Sequence, residues 1–296
     1  MSLQALYDVP APAKLNLFLH VIGRRVDGYH LLQSPFVLID WADRLHFERR
    51  GDGRLRRHDL GPALPDHDLC LRAAKALQSA SGCTAGVDIH IDKQVPWGAG
   101  MGGGSSDAAT TLLALNCLWG LGWPRARLAE LGLALGADVP FFVGGQNAFV
   151  EGIGERLRPL RCAPARYAVV KPAASLPTAE IFNHPLMVRD TLPATLEGSF
   201  EEAGALSVPQ NWLEGFGKND LQAAAASQCA DVAVAASWLE LRFGNSRMTG
   251  SGSALFARTD PFDSLLATDA LDALPTGWVG RMCCGLSEHP LRFWAN

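Results

Sequence analysis

The chain has 296 residues and a mass of 31.7 kDa, about twice the usual length of one domain, so we expect two lobes. Apolar residues make up 48% of the chain and charged residues 19%, which excludes a disordered or collagen-like protein. The net charge of -4 argues against a protein dedicated to binding nucleic acid, because such proteins usually carry a basic patch.

The cysteines and the apolar segments narrow the class further. The seven cysteines are scattered without a C-x-x-C pair, so neither a zinc site nor a disulfide framework is indicated. No signal peptide is visible, and no apolar stretch is long enough to span a membrane. These features predict a cytoplasmic protein without a membrane partner.

The first half of the chain mixes strands and helices. Alternating apolar and polar residues predict a strand from Lys14 to Val21, with Lys14 and Asn16 side by side on its polar face. Ser105, Ser106 and Asp107 are candidate N-caps for a helix that ends near Trp119. Other runs predict strands at 36–39, 45–48 and 87–91, and helices at 69–77 and after Pro124. Strand and helix do not alternate strictly, which favours an α+β fold over a doubly wound parallel sheet.

The second half has its own order of elements. The patterns predict strands at 166–171, 246–249, 254–258 and 278–284, and helices at 219–228, 231–242 and 262–272. This order resembles a ferredoxin-like β-α-β-β-α-β unit with extra helices in its first crossover. We therefore place a domain boundary near residue 162, which gives one domain at 1–162 and a second at 163–296.

Glycine makes up 30 of the 296 residues, about 10% against an average near 7%. Many of these glycines lie in one segment, Pro96 to Ala109 (PWGAGMGGGSSDAA), which leads into an apolar helix. Backbone N–H groups can converge in such a loop, and the start of the helix adds free N–H donors, so we expect the loop to bind phosphate. A flexible linker is the alternative, but linkers seldom run straight into a capped helix.

Two common phosphate motifs do not fit this loop. Gly98, Gly100 and Gly103 match the spacing of the dinucleotide fingerprint, but residues 108–129 contain no Asp or Glu to hold a ribose. The P-loop pattern fails because Gly104 stands where that motif needs a lysine. The charge that balances the phosphates must therefore come from elsewhere, from magnesium and a side chain.

Three segments occur in a characteristic order: Pro12–Leu17 (PAKLNL), the loop 96–109, and Met248–Ala254 (MTGSGSA). Together they resemble the GHMP superfamily of small-molecule kinases. Within it, the chain is similar to the family of 4-diphosphocytidyl-2-C-methyl-D-erythritol kinases. The segments that carry this closer resemblance are Arg24–His30 (RRVDGYH), Gly136–Phe142 (GADVPFF), Lys171-Pro172, Pro177–Phe182 (PTAEIF) and Asn219–Leu221 (NDL).

The resemblance implies a two-lobed α+β GHMP kinase fold. Its N-terminal lobe, similar to domain 2 of ribosomal protein S5, would bind ATP, and its C-terminal lobe would be ferredoxin-like. The implied activity is ATP- and Mg²⁺-dependent phosphorylation of the 2-hydroxyl of 4-diphosphocytidyl-2-C-methyl-D-erythritol, in the non-mevalonate route to isoprenoids, by a monomer or homodimer. Two alternatives stay open: another GHMP kinase of the homoserine or mevalonate type, and a non-catalytic ligand sensor on the same scaffold.

The resemblance also implies roles for individual residues. Lys14 and Asp138 would be the catalytic pair, with Asp138 accepting the proton of the hydroxyl that attacks. The ATP site would comprise Asp68 together with Pro96, Trp97, Gly98, Ala99, Gly100, Met101, Gly102, Gly103, Gly104, Ser105 and Ser106. The substrate site would comprise Asn16, Tyr29, His30, Thr178, Phe182, Gly250 and Ser251. The metal ligands cannot be assigned.

Several of these residues have a plain structural alternative. Asp138 could be only a helix N-cap before Pro140, and Lys14 an ordinary solvated lysine. Ser105 and Ser106 could cap the helix, bind phosphate or ligate magnesium. The family usually has Asn where this chain has Asp68, and Asp cannot donate a hydrogen bond to adenine, so at this position the chain departs from the family pattern.

Overall fold

The computed structural model describes residues 3–65, 68–195, 201–202, 204–213, 215–259, 271 and 273–296. Within these ranges the chain forms two sheets with helices packed against them. No helix in the described part is long and apolar enough to cross a membrane. The α+β class predicted from the sequence is confirmed.

The first sheet is organised around one long strand. This strand, His30–Arg50, pairs antiparallel with four other strands among the described residues, so it forms the spine of the lobe. Among the described residues the sheet has nine strands. They are β1 (Ala5–Asn16), β2 (His20–Arg24), β3 (His30–Arg50), β4 (Leu55–Asp59), β5 (Gly86–Asp92), β6 (Ala148–Gly152), β7 (Arg156–Arg161), and, across a later stretch of chain, β9 (Glu201–Glu202) and β10 (Ala205–Ser207).

Helices cover the apolar face of this sheet. They are α1 (Leu69–Ser81), α2 (Gly103–Leu118), α3 (Arg125–Leu133) and α4 (Val139–Gly144). Helix α2 is rich in Ala and Leu on all sides. It is almost wholly buried in the apolar core between the first sheet and its helices. An all-round apolar helix is stable only when its neighbours enclose it, so the packing of α2 fixes the position of its N-terminus, where the glycine loop ends.

The second sheet has the strand order expected of a ferredoxin-like unit. Its strands, β8 (Arg166–Lys171), β11 (Arg247–Met248), β12 (Leu255–Thr259) and β13 (Val279–Cys284), are antiparallel neighbours in the order β11-β12-β8-β13. In the described part of the chain between β8 and β11, four helices occur: α5 (Thr178–Asn183), α6 (Gln210–Leu213), α7 (Gln222–Gln228) and α8 (Ala230–Phe243). The predicted helix at 262–272 falls almost entirely outside the described residues.

The two sheets share an apolar layer. Buried residues of β1 and β3 pack with buried residues of β8 and β12, including Leu15, Ile39, Val169 and Phe256. Lys14 and Asn16 alternate with this layer along β1 and therefore lie where the lobes meet. The division at residue 162 stays a prediction, since β10 and the segment after β13 both return to the first lobe.

Two stretches differ from the pattern-based prediction. The strand predicted from Lys14 to Val21 is interrupted: β1 ends at Asn16, and β2 begins at His20. Between them the Leu19 N–H donates to the Lys218 carbonyl, so this backbone leaves the sheet to pair with the second lobe. The strands predicted at 36–39 and 45–48 are one continuous strand, because the polar residues between them still pair with β1 and β5.

We expect Leu291→Ala to lower the free energy of unfolding by about 2–5 kcal/mol. Leu291 is buried in the core of the first lobe, although it follows the last strand of the second sheet. Leu241→Ala, on the exposed face of α8, is the matched control and should change stability by less than about 0.5 kcal/mol. Urea denaturation measures both, and equal effects of the two substitutions would show that the C-terminal segment does not pack there.

Candidate active site

Two glycine-rich loops meet backbone to backbone at the junction of the lobes. Gly98, Gly100 and Gly102 all have a positive φ, which glycine adopts without strain. The Ser253 N–H donates to Gly98 O at 3.2 Å, and the Ala254 N–H donates to Ala99 O at 3.1 Å. A Cβ on Gly100 would overlap the Thr249 carbonyl oxygen. The loops of the two lobes thus form one surface.

The start of α2 lies at the end of the first loop. Its N-cap is Gly102, not one of the residues Ser105 to Asp107, so the predicted N-cap is wrong. Gly102 has no side chain to cap the helix, and the Ser106 N–H makes the first bond, to the Gly102 carbonyl. The N–H groups of Gly103, Gly104 and Ser105 therefore have no intrahelical acceptor, which suits an anion.

The two adjacent serines differ in their surroundings. The buried Ser106 hydroxyl donates to Pro12 O at 2.7 Å and anchors α2 to β1. The Ser105 hydroxyl lies close to Gly136, two residues before Asp138. Ser106 therefore anchors the helix, and the Ser105 hydroxyl lies on the side of the helix that faces Gly136.

Lys14 is a buried cation beside the glycine loop. Its Nζ donates to Asn16 Oδ1 at 2.6 Å, lies 3.7 Å from Asp138 Oδ2, and sits 4.4 Å from the centre of the Phe36 ring. Burial lowers the pKa of Lys14, and the Asp138 carboxylate opposes that shift. Only 4% of the lysine side chain is exposed, against 30% of the Asp138 side chain. Lys14 is therefore not a solvated surface lysine.

Asp138 stands at the N-cap position of α4 but does not cap it. Its side chain makes no cap hydrogen bond, and its one ion-pair partner among the described residues is Lys14. The structure therefore does not support the alternative in which Asp138 serves only as a helix cap. The carboxylate is partly exposed, next to a cation, and able to accept a proton from a bound hydroxyl.

Asn16 is the hub of this arrangement. Its Oδ1 accepts from Lys14 Nζ, from the Thr249 hydroxyl at 3.2 Å and from the Gly250 N–H at 2.9 Å. Its Nδ2 donates to the Ser34 hydroxyl at 2.7 Å. Asn16 therefore orients the lysine and ties the second glycine loop to β1, and one of the two N–H groups of its Nδ2 is bonded to Ser34.

One ionic cluster beneath the loop escaped the sequence analysis. Lys93 Nζ bonds to Asp43 Oδ2 and, at 2.7 Å, to Asp107 Oδ2, while Asp43 Oδ1 accepts the N–H groups of Gln94 and Val95. Burial raises the pKa of Asp107, and Lys93 opposes that shift. Lys93 also lies beside Gly103, so it places a positive charge at the start of α2. The residues are too far apart in sequence for any spacing to reveal them.

The residues predicted for the substrate side form two groups. The His30 and Phe182 rings stack with their centres 5.5 Å apart, and Tyr29 next to His30 is exposed. The hydroxyls of Thr178 and Ser251 lie 2.8 Å apart, which joins the start of α5 to the second glycine loop. Burial lowers the pKa of His30, as do Arg24 and Arg189, which favours the neutral ring.

Asp68 is occupied by protein partners. Its Oδ1 accepts from the N–H groups of Cys70 and Leu71 as the N-cap of α1, and its Oδ2 pairs with Arg57. The carboxylate thus caps α1 and forms an ion pair with Arg57, and an Asn could provide the cap but not the ion pair. A contact between Asp68 and adenine stays a prediction.

The site fits polyphosphate better than a protein-bound metal. The free N–H donors at the start of α2 and the buried Lys14 supply what phosphate oxygens need. Within the described residues, no group of three His, Cys, Asp or Glu side chains could hold a metal ion. Mg²⁺ commonly binds through one or two carboxylates together with substrate phosphates, so this donor set suits a metal that arrives with a nucleotide.

The sequence matches known proteins over its full length. Residues 68–146 match the model of the GHMP kinases N terminal domain. A 4-diphosphocytidyl-2-C-methyl-D-erythritol kinase of Methylibium petroleiphilum is 63% identical over the whole of both chains. This chain belongs to the 4-diphosphocytidyl-2-C-methyl-D-erythritol kinase family. The kinase of the same name from Ralstonia pickettii is 53% identical, with 98% of this chain and 97% of the relative covered.

Solved structures share the fold of this chain. A crystal structure of a 4-(cytidine 5'-diphospho)-2C-methyl-D-erythritol kinase matches with a TM-score of 0.77 and 34% identity, covering 93% of this chain and 98% of that one. A mevalonate kinase matches with a TM-score of 0.66 at 13% identity, covering 96% and 99%. The second likeness shows the shared fold alone, and the GHMP kinase fold is confirmed.

Gly100→Ala should separate the two glycine loops. An added Cβ would overlap the Thr249 carbonyl oxygen and strain a backbone with φ of 72°. Gly120→Ala is the control, since Gly120 has a similar φ of 66° but open space around it, and it should cost only the left-handed strain of about 1–2 kcal/mol. Calorimetry of nucleotide binding should show at least tenfold weaker affinity for Gly100→Ala than for Gly120→Ala, and equal affinities would contradict the contact.

Proposed function

We propose that this kinase transfers the γ-phosphoryl group of ATP to the 2-hydroxyl of 4-diphosphocytidyl-2-C-methyl-D-erythritol, and that Lys14 and Asp138 carry the reaction. The observation that carries the proposal is the Lys14–Asp138 pair, 3.7 Å apart, next to the free N–H groups at the start of α2. A phosphate-binding element, a buried cation and a partly exposed carboxylate are the parts that phosphoryl transfer to an alcohol requires.

In this mechanism Asp138 accepts the hydroxyl proton while the substrate oxygen bonds to the γ-phosphorus and the bond to ADP breaks. Lys14 holds Asp138 ionised and lies where it can attract the phosphoryl oxygens as they move. The N–H groups of Gly103, Gly104 and Ser105 bind the phosphates of the nucleotide. Phosphate charge would be neutralised by Mg²⁺ bound together with the nucleotide. Ser105 and Asp107, near the start of α2, would be the residues to hold it.

The cytidine-linked half of the substrate would lie across β2, β3 and α5. Stacked or exposed aromatic rings at Tyr29, His30 and Phe182 offer flat surfaces for a pyrimidine. Thr178 and Ser251 offer hydroxyls at the entrance between the lobes. A homoserine or mevalonate substrate is too small to need this aromatic surface, so the cytidine-linked substrate is the better fit. The cytoplasmic location and the monomeric or homodimeric state stay predictions.

Asp138→Asn should lower kcat by about 10²–10⁴-fold, because the amide cannot accept the proton. The start of α4 should be unaffected, since the Asp138 side chain makes no cap hydrogen bond there. Steady-state kinetics with ATP and the cytidine-linked substrate measure the effect. A loss of less than tenfold would remove Asp138 as the base. Tight binding without turnover by the unaltered protein would favour a ligand sensor.

The pH dependence of kcat/KM should reflect the pKa of Lys14. Burial lowers the pKa of Lys14 below the ordinary lysine value, so kcat/KM should fall as the pH rises through a value below that of a free lysine. Asp138 holds the pKa of Lys14 up, so Asp138→Asn should move this alkaline limb to lower pH. An alkaline limb that does not move in the residual activity of Asp138→Asn would show that the limb does not belong to Lys14.

A further inference from the structure

Lys171 is a second buried lysine, and nothing in the proposed reaction uses it. It is the last residue of β8 and only 6% exposed. Burial lowers the pKa of Lys171. Among the residues that the structure describes, no carboxylate pairs with its ammonium. A buried cation without a counter-ion is costly unless other groups replace its hydration, so its surroundings need an explanation.

The chain after Lys171 folds back around its ammonium. Nζ donates to the carbonyl oxygens of Pro172 and Ala174, both at 2.7 Å, and approaches Ala173 O and Ser175 Oγ, both at 3.4 Å. Four oxygens from consecutive residues thus converge on one cation. Carbonyl dipoles that point at a common centre repel one another, so segment 172–175 holds this shape only while a positive charge occupies the centre.

This wrapped segment touches both glycine loops. Ala174 O accepts from the Ser253 hydroxyl as well as from Lys171. The Ser175 hydroxyl donates to Trp97 O at 3.4 Å and lies so close to Gly98 that a Cβ there would come within 2.8 Å of it. The segment therefore fills the space between the phosphate-binding loop and the second glycine loop.

Segment 172–175 is followed closely by α5, which carries residues predicted for the substrate site. Pro177 is the N-cap of α5, whose first residue Thr178 contacts the Ser251 hydroxyl and whose Phe182 stacks on His30. A shift at residues 172–175 would therefore move the nucleotide loop and the start of α5 together.

We propose that Lys171 is a positioning residue, an internal cation that shapes segment 172–175 and thereby holds the nucleotide loop and the cytidine-side helix in register. Its ammonium is fully bonded to the protein, so it acts through this segment and not by touching substrate. This role rests on the proposed function for its kinetic consequences, but the geometry it maintains is independent of turnover.

The test is Lys171→Met, which keeps the length of the side chain and removes the charge. We expect kcat/KM to fall at least tenfold, mainly through higher KM for both substrates. Lys75→Met, on the exposed face of α1, is the matched control and should stay within twofold of the unaltered enzyme. If the unaltered enzyme itself does not turn over the cytidine-linked substrate, the proposed function fails, and the structural readout below still decides the role of Lys171.

That readout is amide hydrogen exchange on the folded variants. Lys171→Met should accelerate exchange in 97–103, 172–178 and 250–254 together and leave β4 and β5 unchanged. In Lys171→Ala, added methylammonium should restore the slow exchange and part of the activity by entering the vacated position, whereas tetramethylammonium, which cannot donate a hydrogen bond, should not. Unchanged exchange in 97–103 and 172–178 would overturn the proposal. So would a uniform loss of protection that methylammonium does not reverse.

Discussion

The buried ammonium of Lys14 is the interaction on which the rest of the site depends. A lysine 3% exposed is stable only if its charge is met, and here Asn16, Asp138 and the face of Phe36 meet it from three sides. These partners come from β1, β3 and the N-terminus of α4. One buried charge therefore draws three elements of the first lobe to a single point.

The second lobe is held to the same point through Asn16. The amide that accepts from Lys14 also accepts from Thr249 and Gly250, so the loop between β11 and β12 is fixed relative to Lys14. Glycine at positions 100 and 250 allows the two loops to touch through their backbones. The interface of the lobes is thus polar around Lys14 and Asn16, and apolar in the layer that β1 and β3 share with β8 and β12.

Much of this could be predicted from sequence because local patterns determine it. The strands at 87–91 and 166–171, the buried helix after the glycine loop and the order of the second sheet follow from periodicity and chain order. The start of α2 was misplaced because Ser105 and Ser106 are good capping residues, but tertiary contacts decide otherwise: Ser106 bonds to Pro12 and the chain turns at Gly102. The break after Asn16 depends on Lys218, some 200 residues away, and no local pattern contains it.

The candidate site divides in the same way. The glycine loop and the Lys14, Asn16 and Asp138 positions could be found from motifs, whereas the Asp43–Lys93–Asp107 cluster is assembled only by the fold. Lys171 was visible in a motif, but its role depends on carbonyl groups, which carry no signal in the identity of the residues.

The most direct test of the account is a crystal structure with a non-hydrolysable ATP analogue and the cytidine-linked substrate bound together. The account predicts the 2-hydroxyl oxygen within about 2.6–3.2 Å of an Asp138 carboxylate oxygen, with the γ-phosphate between the start of α2 and Lys14. A substrate hydroxyl beyond hydrogen-bond reach of Asp138, with another protein group in contact with it, would contradict the account.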